Sequence, residues 1–339
     1  MKNQTPFVYG IGNPLIDVIV PVSYEELKDL GLYKGTMNLI DVDKRLELSK
    51  YIKENKTPSF SCGGSCPNTI ITLRAMGVDT ALAGKVGNDE YGEIYKKNLK
   101  NLSVEDNLCI SENPTGSSII LITPDSDRTM NTFLGANRDF CLSDINTETL
   151  KKADFFHFTG YMLDTKNQTE AIYKAIDTAK SSGARISFDI ADQFAVGRNR
   201  DAFLDIIKSS CDIVFANKEE ARIMFDNYDP ELCCKSMGKL CETAIVKNGK
   251  KGSFISYRGE IFEIPVKGPS VPVDTTGAGD TYAAGFLYGL CKGYDVVDSG
   301  TIASILAGQI IKQVGAQFTE EKGKELKAML ESGSWRNQN

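Results

Sequence analysis

The sequence predicts an α/β protein: a three-layer αβα sandwich with a mostly parallel central sheet, carrying a small β-sheet lid. Three observations predict it. From about residue 153 onward, short apolar runs alternate with longer amphipathic segments, the pattern of strands and crossover helices in a parallel sheet covered on both faces. Strand-rich stretches in the first half interrupt that alternation. The length, 339 residues, accommodates one large domain with an added layer, so the chain is read as a single domain over 1–339.

Phe7 to Gly12 is an apolar run closed by glycine, and Leu15 to Val22 resumes as a second strand around Asp17. A helix starts after Gly63-Gly64: Ser65 can cap it, Pro67 suits a first turn, Ile70, Ile71, Leu73 and Met76 supply an apolar face, and Gly77 stops it. Ala81 to Val86 follows as a strand and Tyr91 to Leu102 as a helix. Ser117 to Thr123 and Thr129 to Leu134 are β-rich runs joined by Pro124, Asp125, Ser126 and Asp127, a hairpin. The regular half then reads strand 154–159, helix 168–182, strand 185–190, helix 200–209, strand 212–216, helices 218–225 and 230–241, and strand 243–247. A second hairpin, Gly252 to Ile264, precedes a glycine-rich turn, a helix over 278–291 and two closing helices at 295–313 and 320–332. The N-terminal strands and the 117–134 hairpin are surplus to the main sheet, so segments of about 13–41 and 115–135 are expected to form the lid.

Composition narrows the chemistry. Hydrophobic residues make up 41% and charged residues 25%, which excludes a disordered or collagen-like chain. Lys plus Arg is 39 against 45 Asp plus Glu, a net charge of −6 without the basic footprint of a nucleic-acid binder. No run approaches the length of a membrane span, and the N-terminus lacks a signal-like apolar core. The nine cysteines are scattered and contain no C-x-x-C, which fits reduced thiols in the cytoplasm. His157 is the single histidine, and in the run F-F-H-F it is read as a packed strand residue; one imidazole leaves little room for multi-histidine metal sites or histidine-based triads.

Five strings carry the functional argument. G-I-G-N-P-L at 10–15 has Leu15 where a dinucleotide fingerprint needs its third glycine, and no G-x-x-x-x-G-K-[ST], H-R-D or D-F-G string occurs. In D-T-T-G-A-G-D at 274–280, Gly277, Ala278 and Gly279 enter a helix, so their amides can form an anion hole at the positive end of its dipole. Asp280 in the first turn can take a proton from a hydroxyl attacking phosphorus held there, or it merely complements the dipole. Behind it, Ala283, Ala284 and Gly285 permit close helix packing. G-G-S-C-P-N at 63–68 offers close backbone approach at Gly63 and Gly64 and an amide at Asn68 for a polyol; its plain alternative is a capped loop. Asp17, with Asn13, is either solvent-facing or a buried acceptor for a vicinal diol. N-K-E-E at 217–220 follows a strand at the edge where ligands bind in open sheets, so Glu220 can hold magnesium through water, or simply begin a helix. Lys250-Lys251 is read as a solvated turn.

Together these strings resemble the ribokinase-like, or PfkB, family of carbohydrate and nucleoside kinases over about residues 7–320. The resemblance implies Asp280 as catalytic base and the Gly277, Ala278 and Gly279 amides as anion hole, with Asp17, Gly63, Gly64 and Asn68 holding sugar hydroxyls. It implies ATP and magnesium on Asn217, Glu220 and the segment Lys247 to Gly252, including Gly249. Asp274 and Thr276, with the backbone near Gly315, match a monovalent cation site of the ribokinase branch, a place for K+. G-N-P-L-I-D at 12–17, G-Y-M-L at 160–163 and C-D-I-V-F-A-N at 211–217 are similar to adenosine kinases, and R-T-M-N-T-F-L-G-A at 128–136 to the bacterial adenosine-kinase-like group. Two positions depart from that branch: Thr276 replaces a usual asparagine and Lys247 a usual threonine.

The expectation is ATP-dependent phosphorylation of a primary hydroxyl on a ribose-containing substrate, adenosine 5′-OH first, with Phe133, Leu134, Tyr161 and Met162 as an apolar slot for the base. A free-sugar kinase for ribose, fructose or a keto-deoxy acid is the rival, and a nucleoside- or sugar-binding sensor without turnover is a second. The protein is expected as a monomer or as a homodimer through the lid.

Overall fold

Alternation along the buried strands separates two cores. Ile213 and Phe215 join one cluster, whereas Val214 and Ala216 join the other. Ile245 likewise faces the first, and Ala244 and Val246 the second. Period-two side-chain placement on strands buried on both faces therefore builds three layers, helix, sheet and helix.

The computed structural model describes residues 6–125, 127–269 and 271–337. Ser126 of the expected hairpin turn and the first five residues of the N-terminal stretch lie outside it. The first half contains β1 (Phe7–Ile11), β2 (Leu15–Pro21), α1 (Tyr24–Asp29), β3 (Met37–Leu39), α2 (Val42–Asn55), β4 (Ser59–Gly63), α3 (Ser65–Ala75), β5 (Asp79–Gly87) and α4 (Glu90–Asn101). Then follow β6 (Glu105–Ser111), β7 (Ser117–Ile122), β8 (Arg128–Phe133), α5 (Thr147–Leu150), β9 (Phe155–Thr159), α6 (Lys166–Ser181), β10 (Arg185–Asp189), α7 (Gln193–Ser210) and β11 (Ile213–Asn217). The remainder is α8 (Lys218–Phe225), α9 (Pro230–Met237), β12 (Thr243–Lys247), β13 (Ser253–Tyr257), β14 (Glu260–Ile264), α10 (Ala278–Cys291), α11 (Val296–Ile310) and α12 (Glu320–Glu331).

The central sheet has nine strands in the order β14-β13-β12-β11-β10-β9-β1-β5-β6, parallel except for the antiparallel edge of β12, β13 and β14. A separate five-stranded sheet runs β3-β8-β7-β2-β4. One correction concerns β1: the N-terminal strands do not both leave the main sheet. Val8 to Ile11 pair in parallel with both β5 and β9, so β1 is an interior strand of the central sheet and only β2 joins the small one. The small sheet also takes β4, which sequence patterning did not reveal. On β2, Ile16, Val18 and Val20 are buried in the same cluster as Leu27 of α1, Leu30 just after it, and Leu48 and Ile52 of α2, while Leu15 and Asp17 face the opposite side.

Three other departures have local causes. Ser65 does not cap α3; Gly64 does, at φ +107°, where an added Cβ would lie 2.2 Å from the Asn13 carbonyl oxygen. The helix expected over 200–209 is the second part of α7, which starts at Gln193 and breaks helical geometry at Asn199. α2 escaped notice because its sequence is mostly polar, with only Leu48 and Ile52 buried. By contrast the A-A-G stretch of α10 packs as closely as expected: a Cβ on Gly285 would sit 2.6 Å from the Ala303 Cα of α11.

Candidate active site

The carboxyl ends of β1, β9, β10, β11 and β12 all point to one rim of the central sheet, where open α/β sheets bind ligands. The loop Asp274 to Gly277 and the start of α10 lie there as well. Gly277 has φ +74°, and a Cβ on it would approach the Cβ of Ala316 to 2.6 Å, so glycine alone fits this turn. The Ala278 N–H donates to the Thr275 carbonyl at 3.2 Å, which turns that amide into the loop. Of the three amides expected to form an anion hole, that of Ala278 is therefore turned away, and those of Gly277 and Gly279 are left as the candidates at the dipole's positive end.

Asp280 sits one step further along, held from α3. Ser65 Oγ donates to its Oδ1 at 2.6 Å and Asn68 Nδ2 to its Oδ2 at 2.9 Å. The Asn68 amide is oriented in turn, because its Oδ1 accepts from Gln317 Nε2 at 3.1 Å. Burial pushes the Asp280 carboxyl up to about 6, against the opposing hydrogen bonds from Ser65 and Asn68. A carboxylate of that basicity, fixed beside an anion hole, suits proton removal near neutral pH.

In front of Asp280 a cavity of about 420 Å³ opens between the two sheets. Its polar side includes Asn13, Asp17, Ser118 and Thr132. Its apolar lining comprises Leu15, Met37, Leu39, Met130 and Leu134, and Tyr161 borders it as well. Asp17 is half-buried, no hydrogen bond from a described residue reaches its carboxylate, and burial pushes it up to about 7. Gly63 lies directly beneath, where a Cβ would meet Asp17 Oδ2 at 2.5 Å. Asn13 is buried, its Oδ1 accepting from Gln168 Nε2 at 3.3 Å.

On the other side of α10's first turn lies Lys247. Its Nζ is 3.2 Å from the Cβ position of Gly279 and 2.9 Å from Asp189 Oδ2. Burial alone would lower this ammonium, but Asp189, Glu220 and Asp280 hold it charged and above its ordinary value. Asn217 and Glu220 form a capping box: Asn217 Oδ1 accepts from the Glu219 and Glu220 amides at 2.9 Å, and Glu220 accepts from Asn217 N and Nδ2 at 2.7 and 2.6 Å. Burial pushes Glu220, 3% exposed, up to about 7. Gly249 and Gly252 both take positive φ in the turn between β12 and β13. Among the described residues no three His, Cys, Asp or Glu side chains cluster in a metal-holding arrangement. A larger depression of about 1140 Å³ lies at the opposite end of the sheet, around Phe7, Asp79, Lys96 and Lys100, away from all these groups.

The pfkB family carbohydrate kinase pattern matches residues 32–323. The chain belongs to the pfkB carbohydrate kinase family. Within that family it is 30% identical to an uncharacterized sugar kinase of Archaeoglobus fulgidus over 72% of this chain and 96% of that one. Its fold is similar to adenosine kinase from Sinorhizobium meliloti, with TM-score 0.87, 30% identity and coverage of 97% and 100% of the two chains. It is equally similar to a probable sugar kinase of Rhizobium etli CFN 42, with TM-score 0.88, 31% identity and coverage of 98% and 100%. This pfkB protein is therefore a ribokinase-like phosphotransferase acting on an alcohol group of a sugar or nucleoside, and its family implies ATP as phosphoryl donor.

Of the four residues expected to form the apolar slot, Leu134 and Tyr161 line the cavity and two do not. Phe133 does not line it: alternation along β8 turns Met130, Thr132 and Leu134 inward, and the Phe133 ring instead lies 4.9 Å from the Arg45 guanidinium. Met162 is fully buried in the second core cluster. His157 is buried too, pushed by burial down to about 3 and paired through Nδ1 with Ser187 Oγ at 2.9 Å, as a neutral strand residue. Lys250 and Lys251 are exposed. Sequence patterning missed Asp189, although an acid at the carboxyl end of a parallel strand is a signal for it, and it missed Arg128, Asp192, Arg198 and Gln317. It also read Ser65 as a cap when its hydroxyl is spent on Asp280.

Proposed function

We propose that the protein transfers the γ-phosphoryl group of ATP to the 5′-hydroxyl of adenosine, giving AMP. The observation that carries this reading is the apolar lining of Leu15, Met37, Leu39, Met130 and Leu134 in the same cavity as the Asp17 carboxylate, which no described residue hydrogen-bonds. Met37 and Leu39 are 41% and 57% exposed, apolar surface that a purine base would cover. Asp17 and Asn13 then receive the ribose diol, a carboxylate and an amide suited to two hydroxyls.

With the ribose so placed, the 5′-hydroxyl points to Asp280. Asp280 takes its proton as the oxygen attacks phosphorus, and the Gly277 and Gly279 amides receive the charge on the phosphoryl oxygens. Lys247 stands beside Gly279 as the cation facing the transferring group. We assign the nucleotide to the side of Asn217, Lys247 and the Gly249–Gly252 turn. Each Glu220 oxygen accepts one hydrogen bond from Asn217 and keeps a lone pair that a magnesium-bound water can use. Nine unpaired thiols support a cytoplasmic location.

A free-sugar kinase is the second reading, supported by Asp164, Asp192, Arg198 and Asn199 at the cavity's polar end and by the relatives named as sugar kinases. Phosphorylation assayed with ATP across adenosine, inosine, guanosine, cytidine, ribose and fructose separates them. Adenosine is expected to give the highest kcat/KM; a higher value for ribose or fructose would reject the nucleoside reading and keep the chemistry.

A further inference from the structure

Asp274 is a buried carboxylate, 9% exposed, in the loop that leads into the anion hole. Its Oδ1 accepts from the Thr276 amide at 3.0 Å and from Thr276 Oγ1 at 2.8 Å. Its Oδ2 accepts from the Gly315 amide at 2.8 Å and from Arg128 Nη2 at 2.5 Å. A carboxylate has about four acceptor positions, and all are used here. The Thr276 hydroxyl is also committed: it donates to Asp274 and accepts from Arg128 Nη1 at 2.8 Å. The cation that neutralises this cluster is thus a guanidinium, contributed by the first residue of β8 in the small sheet. The residues that match a monovalent cation site do not fit one in this arrangement, because the carboxylate has no acceptor position left and the guanidinium already occupies one of the two lone pairs of the Thr276 hydroxyl.

We propose that Arg128 is the resident cation of this cluster, a positioning residue that makes the kinase independent of monovalent metal ions and ties the small sheet to the anion-hole loop. A guanidinium delivers a full charge and two directed N–H donors, which fix the plane of the carboxylate and the Thr276 hydroxyl together. Because that guanidinium is part of β8, the loop is charge-balanced when the small sheet stands over the cleft. A shift of β8 away from the loop leaves a buried carboxylate without its cation, an arrangement that is strongly unfavourable. The loop that shapes the anion hole is thereby coupled to the position of the sheet that carries the proposed substrate residues.

The activity arm of the test rests on the phosphotransfer reading; the melting arm does not, so failure of one is distinguishable from failure of the other. At constant ionic strength, replacing tetramethylammonium by K+ is expected to leave wild-type turnover within about twofold and its melting temperature unchanged. Arg128→Ala in tetramethylammonium is expected to lose turnover about tenfold or more. Adding K+ or tens of millimolar guanidinium should raise its melting temperature by a few degrees and recover part of the turnover. Strong K+ activation of the wild-type protein would overturn the proposal without recourse to any variant. So would an Arg128→Ala protein that matches wild type in tetramethylammonium, or one whose melting temperature responds to neither cation.

Discussion

Asp17, in the proposed substrate cleft, shows what a carboxylate costs when it lines a cavity without a hydrogen bond from a described residue. Its carboxylate is half-buried, receives no hydrogen bond from a described residue, and is pushed from 3.8 up to about 7 by burial, with the Arg128 charge opposing. A carboxyl whose folded value is raised binds a proton in the native state where the unfolded chain has lost it. Stability from this group is therefore fullest at acid pH and falls as pH rises through the folded value. Asp17→Asn is expected to stabilise the ligand-free protein by about 1–3 kcal/mol at pH 8 and by almost nothing near pH 4. Denaturant unfolding at the two pH values checks this, and an Asp17→Asn protein less stable than wild type at pH 8 would show that the carboxylate is satisfied in place. Asp17 stood out in the sequence as an acid between apolar neighbours, but the period-two pattern could not say whether its face met solvent or a cleft. Only the pairing of β2 with β4 and β7 decides that.

Among the elements, α10 carries the most chemistry and was the most legible. Its entry signal, glycines at 277 and 279 before a small-residue helix, reports local backbone requirements that act within a few residues. Gly277 tests how much of the site depends on that turn. Gly277→Ala places a Cβ in a left-handed conformation and 2.6 Å from Ala316, whereas Gly293 has a similar φ of +78° with nothing within 4 Å. The expected cost is about 1 kcal/mol for Gly293→Ala and about 2–4 kcal/mol for Gly277→Ala, with turnover lost only in the latter. Equal destabilisation of the two would mean the close approach to Ala316 is relieved at little cost. Two strands that escaped sequence reading owe their form to their pairing partners rather than to their own composition. β4, S-F-S-C-G, and β6, which opens E-D-N, have poor intrinsic strand character and exist because β2 and β5 offer them an edge.

At the scale of the whole molecule, the alternation of strands and helices after residue 153 was readable because each unit is local, while the path of the first half was not. β1 takes an interior place in the central sheet, the chain then builds most of the small sheet, and it returns as β5 beside β1. No sequence periodicity encodes that order. The same non-locality hid the contacts that join the two sheets. Arg128 meets Asp274 across 146 positions, and Ser65 and Asn68 meet Asp280 across more than 200. What assembles the site is therefore the packing of α3 on α10 and the placement of the small sheet over them, around Asp280, the proposed base, whose motif stands in the sequence as one continuous string. The most direct measurement is the rate of AMP formation from adenosine and ATP by wild type and Asp280→Asn across pH. Wild-type kcat/KM should rise through an apparent pKa of about 6 as the base deprotonates. The variant should keep its adenosine KM while kcat falls by about 10² to 10⁴. An Asp280→Asn protein with wild-type turnover, or a wild-type profile without the acid limb, would contradict the assignment of Asp280 as the base.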